Sequence, residues 1–381
     1  MLKKILTCVV SLFLFCSITH AEDINLYAKS SILVEESTGK VIYENNADEQ
    51  LHPASMTKIM SMILIFEAIS DGKISLSDDV VISKESANMG GSQVYLNEGE
   101  TYKVEELLKA VSIASANDAV VALAEKVSGT KEKFVEKMNE KARILKLKNT
   151  NFINPHGLDD NNHYSSARDM AIMAKELLKY KNVLDYTSKY EDYFKKKDGS
   201  SIWLVNTNKL VKFYNGMDGL KTGYTEKAGY CLTSTAKKNG LRLIAVVMGE
   251  DSIENRTEDT LKLMNYGFNT IKKELILGKN KVVDKLKIDL SSKKYIDVYL
   301  KNDIVKIYDI NSSKIKYNYK IKYKDNIRVP LKKGSMVGKI KVDLDDGTSL
   351  SEDLIIKENI NKIGFMKLFR KNLNIFSMGI N

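Results

Sequence analysis

The 381-residue sequence contains few of the residues that build metal or disulfide sites, with three cysteines and four histidines. They are scattered without the spacing of metal ligands, so no metal site is expected. Cys8 and Cys16 lie in the N-terminal apolar segment, which leaves Cys231 without a partner for an intramolecular disulfide and predicts a buried thiol there. A phosphate-binding glycine loop is also absent. The sequence therefore predicts no metal and no cofactor.

The N-terminus lacks an apolar run of the roughly 20 residues that a membrane-spanning helix needs. Lys3 and Lys4 precede a shorter apolar run, residues 5–18, which ends at Thr19-His20-Ala21. This pattern favours a cleaved signal peptide over residues 1–21, and the alternative is a membrane anchor. We therefore expect an exported protein, at the outer face of the cytoplasmic membrane or in the cell envelope.

The sequence has a formal net charge of +10. Two lysines lie in the segment 1–21, so the remainder carries +8. A positive balance suits an envelope whose polymers and lipids are anionic. The basic residues are spread along the chain and form no nucleic-acid-binding motif, so nucleic acid is not an expected partner.

Residues 22–275 mix helical and strand periodicity and hold all the candidate catalytic motifs. The run 55–69 is apolar on nearly all sides, as in a helix buried within a core. Further helical patterns cover 104–114, 118–128, 131–145 and 166–180. Two apolar, β-rich runs, 229–236 and 241–248, flank an Asn-Gly pair that is a strong hairpin signal. This zone predicts an α+β catalytic domain with an antiparallel sheet.

The rest of the chain changes character. Residues 280–357 contain short alternating runs separated by polar turn residues, which predicts a small all-β domain. Within 358–381, apolar residues recur at steps of three and four beside basic residues, which predicts a basic amphipathic helix. Such a helix suits docking on an anionic membrane surface, and the alternative is packing on its own protein.

The first candidate catalytic motif is Ser55-Met56-Thr57-Lys58. A spacing of three on a helix places the serine hydroxyl and the lysine amine on one face, within mutual reach. A serine hydroxyl becomes a strong nucleophile when a base takes its proton, and burial lowers the pKa of a lysine toward the neutral amine that this requires. The motif alone is also compatible with a solvated helix face.

Two shorter motifs follow. Ser115-Ala116-Asn117 lies between two predicted helices, where Asn117 or Asp118 is also a good helix cap. Lys221-Thr222-Gly223 precedes the predicted hairpin, where it can present a cation and a hydroxyl to a substrate carboxylate. Gly223 leaves space for a close backbone approach. The alternative for Lys221 is a surface position in a turn.

Taken together, the order S-x-x-K, S-x-N, K-T-G resembles that of penicillin-binding proteins and class A β-lactamases, with S-A-N in place of S-D-N. The chain is most similar to the low-molecular-mass D-alanyl-D-alanine carboxypeptidases. The similarity extends to His52-Pro53-Ala54 before the first motif and to Asn154-Pro155-His156-Gly157-Leu158. It implies a β-lactamase/transpeptidase-like catalytic domain followed by a small β domain.

The resemblance also implies roles. Ser55 is the acylated nucleophile, Lys58 is its base, and Ser115 with Asn117 forms a proton relay and a substrate contact. Lys221, Thr222 and Gly223 line the substrate strand, the backbone N–H groups of Ser55 and Tyr224 form the oxyanion hole, and Arg256 helps to hold the terminal carboxylate. The implied ligands are peptidoglycan stem peptides ending in D-Ala-D-Ala, and β-lactams.

Three other functions compete with this prediction. A Ser-His-Asp hydrolase would use His52, His156 or His163, but the sequence has no G-x-S-x-G elbow. A secreted β-lactamase would share the three motifs, but the expected additional glutamate is not found between Ser115 and Lys221. An envelope-binding module would keep the fold and lose catalysis, although all the matching side chains are present.

Overall fold

The computed structural model describes residues 24–313, 315–364 and 366. The predicted signal peptide lies outside these residues. The strands are β1 (Ser30–Glu35), β2 (Val41–Asn45), β3 (Asp79–Val81), β4 (Thr101–Lys103), β5 (Glu191–Lys195), β6 (Ser201–Val205), β7 (Met217–Thr225), β8 (Gly229–Lys238), β9 (Leu241–Glu250), β10 (Ile271–Leu277), β11 (Val282–Leu286), β12 (Ile296–Leu300), β13 (Ile304–Asp309), β14 (Tyr317–Tyr323), β15 (Met336–Leu344) and β16 (Ser349–Ile355). The helices are α1 (Lys58–Ser70), α2 (Lys84–Ala87), α3 (Val104–Ala114), α4 (Asn117–Ser128), α5 (Lys131–Ile144), α6 (Ala167–Leu177), α7 (Leu184–Thr187), α8 (Leu210–Phe213) and α9 (Ile253–Thr270), with short 3₁₀ turns at Ala54–Thr57 and Lys181–Val183.

The first part of the chain is built on a five-stranded antiparallel sheet in the order β2-β1-β9-β8-β7. The predicted hairpin is confirmed as β8 and β9. Asn239 and Gly240 join the two strands with φ values of 50° and 79°, the left-handed conformation that this residue pair accommodates most easily. Strand β7 lies at one edge of the sheet, which gives the K-T-G residues an edge position.

Helix α1 is the centre of the helical cluster. Ten of its residues are buried, among them Ile59, Met60, Ile63 and Ile65, and it packs against α4, α5 and α6. Burying one such side chain contributes about 1.5–3 kcal/mol, so the all-apolar surface is stable only inside a core. The predicted buried helix is therefore confirmed, except that its first turn, Ala54–Thr57, is a 3₁₀ turn.

The second part of the chain is the predicted all-β region, and the α+β fold class is confirmed. Its sheet has the order β11-β12-β16-β15-β14, and β10 pairs with β13 beside it. Alternate residues of β15, including Ile340 and Val342, enter a separate apolar core while Lys339 and Lys341 face solvent. This alternation of buried and solvated faces is the pattern from which the sequence predicts strands.

The chain end differs from its prediction. Residues 358–364 form no helix, because Ile360 makes a β-bridge with Leu331 and Lys362 makes one with Ser291. These backbone contacts attach the segment to the β domain, and a periodicity argument cannot detect them. Apart from Met366, the remainder of the predicted amphipathic helix lies outside the described residues. No helix within the described residues is both long enough and apolar enough to span a bilayer.

Candidate active site

The S-x-x-K residues meet at the junction of the 3₁₀ turn and α1. Ser55 lies in the turn and is half-buried, whereas Lys58 is the first residue of α1 and is fully buried. Lys58 Nζ lies 2.9 Å from Ser55 Oγ. The spacing of three residues therefore brings the amine and the hydroxyl into hydrogen-bond contact.

Two further oxygens complete the surroundings of the lysine amine. Lys58 Nζ donates to Asn117 Oδ1 at 2.6 Å and to the backbone carbonyl of His156 at 2.8 Å. Both are acceptors only, so they use two N–H groups of the amine. A neutral amine has two N–H groups and one lone pair. When the amine is neutral, the two acceptors take its N–H groups and its lone pair is left for the Ser55 hydroxyl.

The electrostatic setting favours that neutral amine. Burial lowers the pKa of Lys58 well below its ordinary value, and the positive charge of Lys221 lowers it further. Asp118 acts in the opposite direction, but it is the smallest of the three causes. The Asp118 carboxylate also accepts hydrogen bonds from the backbone N–H groups of Val94, Leu96 and Ala119. A buried lysine in these surroundings has the properties of a general base.

The S-A-N residues lie at the junction of α3 and α4. Ser115 caps α3 in a left-handed conformation, with φ of 65°, and its buried Oγ has no hydrogen-bond partner among the described residues. Asn117 begins α4, and its Nδ2 donates to Gly90 O at 2.7 Å. The alternative that Asn117 or Asp118 caps the following helix is wrong, because the N-cap of α4 is Ala116, without a side-chain cap, and the Asn117 side chain is bonded to Lys58 and Gly90 instead.

The K-T-G residues lie on β7, and Lys221 is buried rather than on the surface of a turn. Burial lowers the pKa of Lys221 to about 7, and the charge of Arg256 adds to this effect. Thr222 Oγ1 donates to Thr207 Oγ1 at 2.7 Å. A Cβ atom at Gly223 would lie 2.7 Å from the carbonyl oxygen of Pro53. Glycine at this position therefore allows β7 to pass directly beside the turn that carries Ser55.

A cleft of about 440 Å³ connects these motifs. Its walls are formed by Ser55, Ser92, Ser115, Val205, Thr207, Lys209, Thr222, Gly223, Tyr224, Tyr230, Ile253 and Arg256. Tyr224 is exposed and stacks on Tyr230, with ring centroids 4.3 Å apart. Arg256 is buried on α9, and its Nε has no hydrogen-bond partner among the described residues. Of the predicted site residues, Lys58, Asn117 and Lys221 lie behind the cleft wall.

The segment Asn206–Lys209 is a part of the site that no sequence pattern predicts. Thr207 contacts the K-T-G strand, and Lys209 lies in the cleft wall. The His156 carbonyl on Lys58 was also not identified. The segment follows an exposed hairpin and has no recognisable motif. Its position in the cleft depends on contacts with residues that are distant in sequence, such as the hydrogen bond from Asn208 Nδ2 to the carbonyl oxygen of Gly219, 11 residues away.

The histidines do not form a catalytic dyad with Ser55. His163 Nε2 contacts Thr57 Oγ1 at 2.8 Å, and its Nδ1 accepts from the backbone N–H of Ile153. His156 Nδ1 accepts from the backbone N–H of Leu158. Burial lowers the pKa of His156 to about 3 and that of His163 to about 4, so both rings are neutral at ordinary pH. These contacts are structural, and within the described part of the chain no histidine bonds to Ser55.

The geometry defines a class of protein: a serine hydrolase whose nucleophile is paired with a buried lysine beside the edge strand of an antiparallel sheet. Comparison with known proteins agrees. A family model for D-alanyl-D-alanine carboxypeptidases matches residues 17–252, and one for the C-terminal domain of penicillin-binding protein 5 matches residues 272–362. The chain belongs to the D-alanyl-D-alanine carboxypeptidase family. The predicted family and enzyme class are therefore confirmed.

Individual relatives cover nearly the whole chain. The D-alanyl-D-alanine carboxypeptidase DacF of Bacillus subtilis is 45% identical over 346 residues, which span 91% of this chain and 89% of the relative. Escherichia coli DacA, also a D-alanyl-D-alanine carboxypeptidase, is 32% identical over 92% of this chain and 90% of the relative. Among solved structures, penicillin-binding protein 5 of Haemophilus influenzae has a TM-score of 0.71 at 32% identity, and covers 89% of this chain and 98% of its own. PBP3 of Streptococcus pneumoniae has a TM-score of 0.73 at 29% identity, and the match covers 88% of this chain and 100% of that structure's chain.

Proposed function

We propose that the protein removes the terminal D-alanine from peptidoglycan stem peptides through an acyl-enzyme on Ser55. The contact of 2.9 Å between Lys58 Nζ and Ser55 Oγ is the observation that carries this proposal. The two acceptors on the amine, Asn117 Oδ1 and His156 O, direct its lone pair at the hydroxyl. Lys58 takes the hydroxyl proton as Ser55 Oγ attacks the carbonyl of the penultimate D-alanine.

The remaining groups have complementary roles in this reaction. The backbone N–H groups of Ser55 and Tyr224 stabilise the oxyanion, at about 2.7–4 kcal/mol for each donor. The unpartnered Ser115 hydroxyl passes the proton to the leaving amine. Lys221, Thr222 and Arg256 bind the terminal carboxylate. After D-alanine departs, water attacks the ester and regenerates the Ser55 hydroxyl.

A β-lactam presents a strained carbonyl and a carboxylate at similar positions, so the same groups acylate Ser55 with it. In the cell, removal of the terminal D-alanine changes which stem peptides remain available for cross-linking, so we propose a role in cell-wall remodelling. The protein acts outside the cytoplasmic membrane. The sequence features that support this location are the signal-peptide pattern of residues 1–21 and the basic residues Lys362, Lys367, Arg370 and Lys371 for an anionic membrane surface.

D-alanine release from diacetyl-L-Lys-D-Ala-D-Ala tests the catalytic proposal. Protein lacking residues 1–21 is expected to release D-alanine, and the Ser55→Ala variant is expected to release none. Absence of release by the natural sequence under conditions in which it is folded would contradict the proposal. For the membrane contact, flotation with vesicles containing anionic lipid is compared between the full chain and a chain ending at residue 361. Equal binding by the two would contradict it.

A further inference from the structure

The backbone of Asn206–Lys209 is held rigidly against the body of the domain. Asn206 Nδ2 donates to the carbonyl oxygens of Thr187 and Lys189, at 3.0 and 2.8 Å. Asn208 Nδ2 donates to Gly219 O at 3.2 Å, and its Oδ1 accepts from Leu210 N. Both asparagine side chains are buried. The alternate residues, Thr207 and Lys209, lie in the cleft wall.

The two cleft-facing residues lie beside the K-T-G strand. Thr207 Oγ1 contacts Thr222 Oγ1, so the segment touches the strand at the residue after Lys221. Lys209 lines the same cleft as Arg256, and its Nζ lies 5.3 Å from the centre of the Tyr190 ring. Contact with the face of an aromatic ring stabilises a cation and restricts its position. The segment therefore places a lysine in the wall of the cleft that Thr222 and Arg256 also line.

This cation has no anionic partner of its own. Within residues 24–313 and 315–364, Lys209 forms no ion pair with a carboxylate, and no neighbouring charge contributes to the shift of its pKa. The other two cations of this part of the site, Lys221 and Arg256, are buried. They repel each other, and the positive charge of Arg256 lowers the pKa of Lys221. Lys209 is exposed as a residue, but partial desolvation of its ammonium group lowers its pKa below the ordinary value. A bound carboxylate would offset this effect, because an opposite charge favours the charged form of a lysine.

We propose that Lys209 binds the C-terminal carboxylate of the substrate and makes the cleft selective for peptides that end in a free carboxylate. The inference rests on the proposed function of the cleft. An ammonium group attracts a carboxylate but gains nothing comparable from a neutral amide, so Lys209 discriminates by the charge of the chain end. Its place in the cleft wall gives it this role in addition to that of the K-T-G lysine.

The test compares diacetyl-L-Lys-D-Ala-D-Ala with the C-terminal amide of the same peptide, as substrates and as competitive inhibitors of penicillin acylation. The variants are Lys209→Gln, Lys209→Arg and, as a matched control, Lys212→Gln. Lys212 Nζ lies 4.3 Å from the centre of the same Tyr190 ring, but Lys212 is not part of the cleft wall described above. Both positions, Lys209 and Lys212, are exposed, so all three variants are expected to keep the fold.

For the free acid, Lys209→Gln is expected to lower kcat/KM on the order of tenfold, mainly through KM, because the contact exists in both the bound ground state and the transition state. The same variant is expected to bind the amide with an affinity changed by less than about twofold. Lys209→Arg keeps a cation and is expected to retain most of the natural kcat/KM for the acid. Lys212→Gln is expected to resemble the natural protein with both peptides. Equal losses for acid and amide, or no loss, would overturn the role of Lys209. The proposed function itself would fail if the natural protein released no D-alanine. That outcome is measured on the natural protein and is therefore distinct from any result obtained with the Lys209 variants.

Discussion

Replacing Asn117 with aspartate changes the protonation of Lys58 with almost no change in side-chain size. Asn117 Oδ1 lies 2.6 Å from Lys58 Nζ, so the substitution puts a carboxylate oxygen beside the amine. An opposite charge at this distance raises the pKa of a lysine by about one to three pH units. The desolvation that lowers the pKa of Lys58 is thereby partly offset. The amine then becomes neutral only at higher pH.

The assay is the pH profile of kcat/KM for D-alanine release, whose acidic limb reports the base of the free enzyme. The expected result for Asn117→Asp is an acidic limb displaced upward by about one to three pH units, with a loss of about 10-fold to 1,000-fold at pH values below the limb. Aspartate also loses the bond from Asn117 Nδ2 to Gly90 O, which costs about 1–3 kcal/mol of stability and is measured separately by thermal unfolding. A uniform loss at every pH, with the limb in place, would refute a neutral Lys58 as the base.

Three further predictions concern neighbouring residues. Gly223→Ala is expected to lower acylation by penicillin at least tenfold, because the added Cβ lies 2.7 Å from Pro53 O and moves β7 away from Ser55; natural acylation rates would contradict this. Asp118→Asn is expected to lower the free energy of unfolding by about 1–3 kcal/mol in urea, because an amide has one accepting oxygen where the carboxylate has two, so that not all the backbone N–H groups that Asp118 now accepts from, such as those of Val94 and Leu96, keep a partner; an unchanged midpoint would contradict it. Lys221→Met is expected to raise KM and to move the acidic limb of kcat/KM upward, since the positive charge of Lys221 lowers the pKa of Lys58; an unmoved limb would show that the two lysines are not coupled.

Local patterns in the sequence were sufficient to predict most of the catalytic domain. Helix α3 has the predicted bounds, and α4 begins one residue before its predicted start. The Asn-Gly turn was predictable because few residue pairs accommodate two consecutive left-handed conformations. The buried course of α1 was predictable because an all-apolar helix is stable only inside a core. In each case the physical cause lies within a few residues of sequence.

The chemistry of the site was only partly predictable. The spacing of Ser55 and Lys58 indicates that they lie on one face, but the acceptors that orient the amine come from Asn117 and His156, which are distant in sequence. The left-handed conformation of Ser115 depends on the junction of two packed helices. Lys209 reaches the cleft through buried contacts of the adjacent Asn208. The β-bridges of Ile360 and Lys362 likewise override a helical periodicity.

Intact-mass analysis after treatment with benzylpenicillin tests the central claim most directly. The natural protein is expected to gain the mass of one penicillin, whereas Ser55→Ala gains none. Lys58→Met leaves the Ser55 hydroxyl in place without its base and is expected to be acylated about 100-fold to 10,000-fold more slowly. A stable adduct on the Ser55→Ala variant, or rapid acylation of Lys58→Met, would contradict the account.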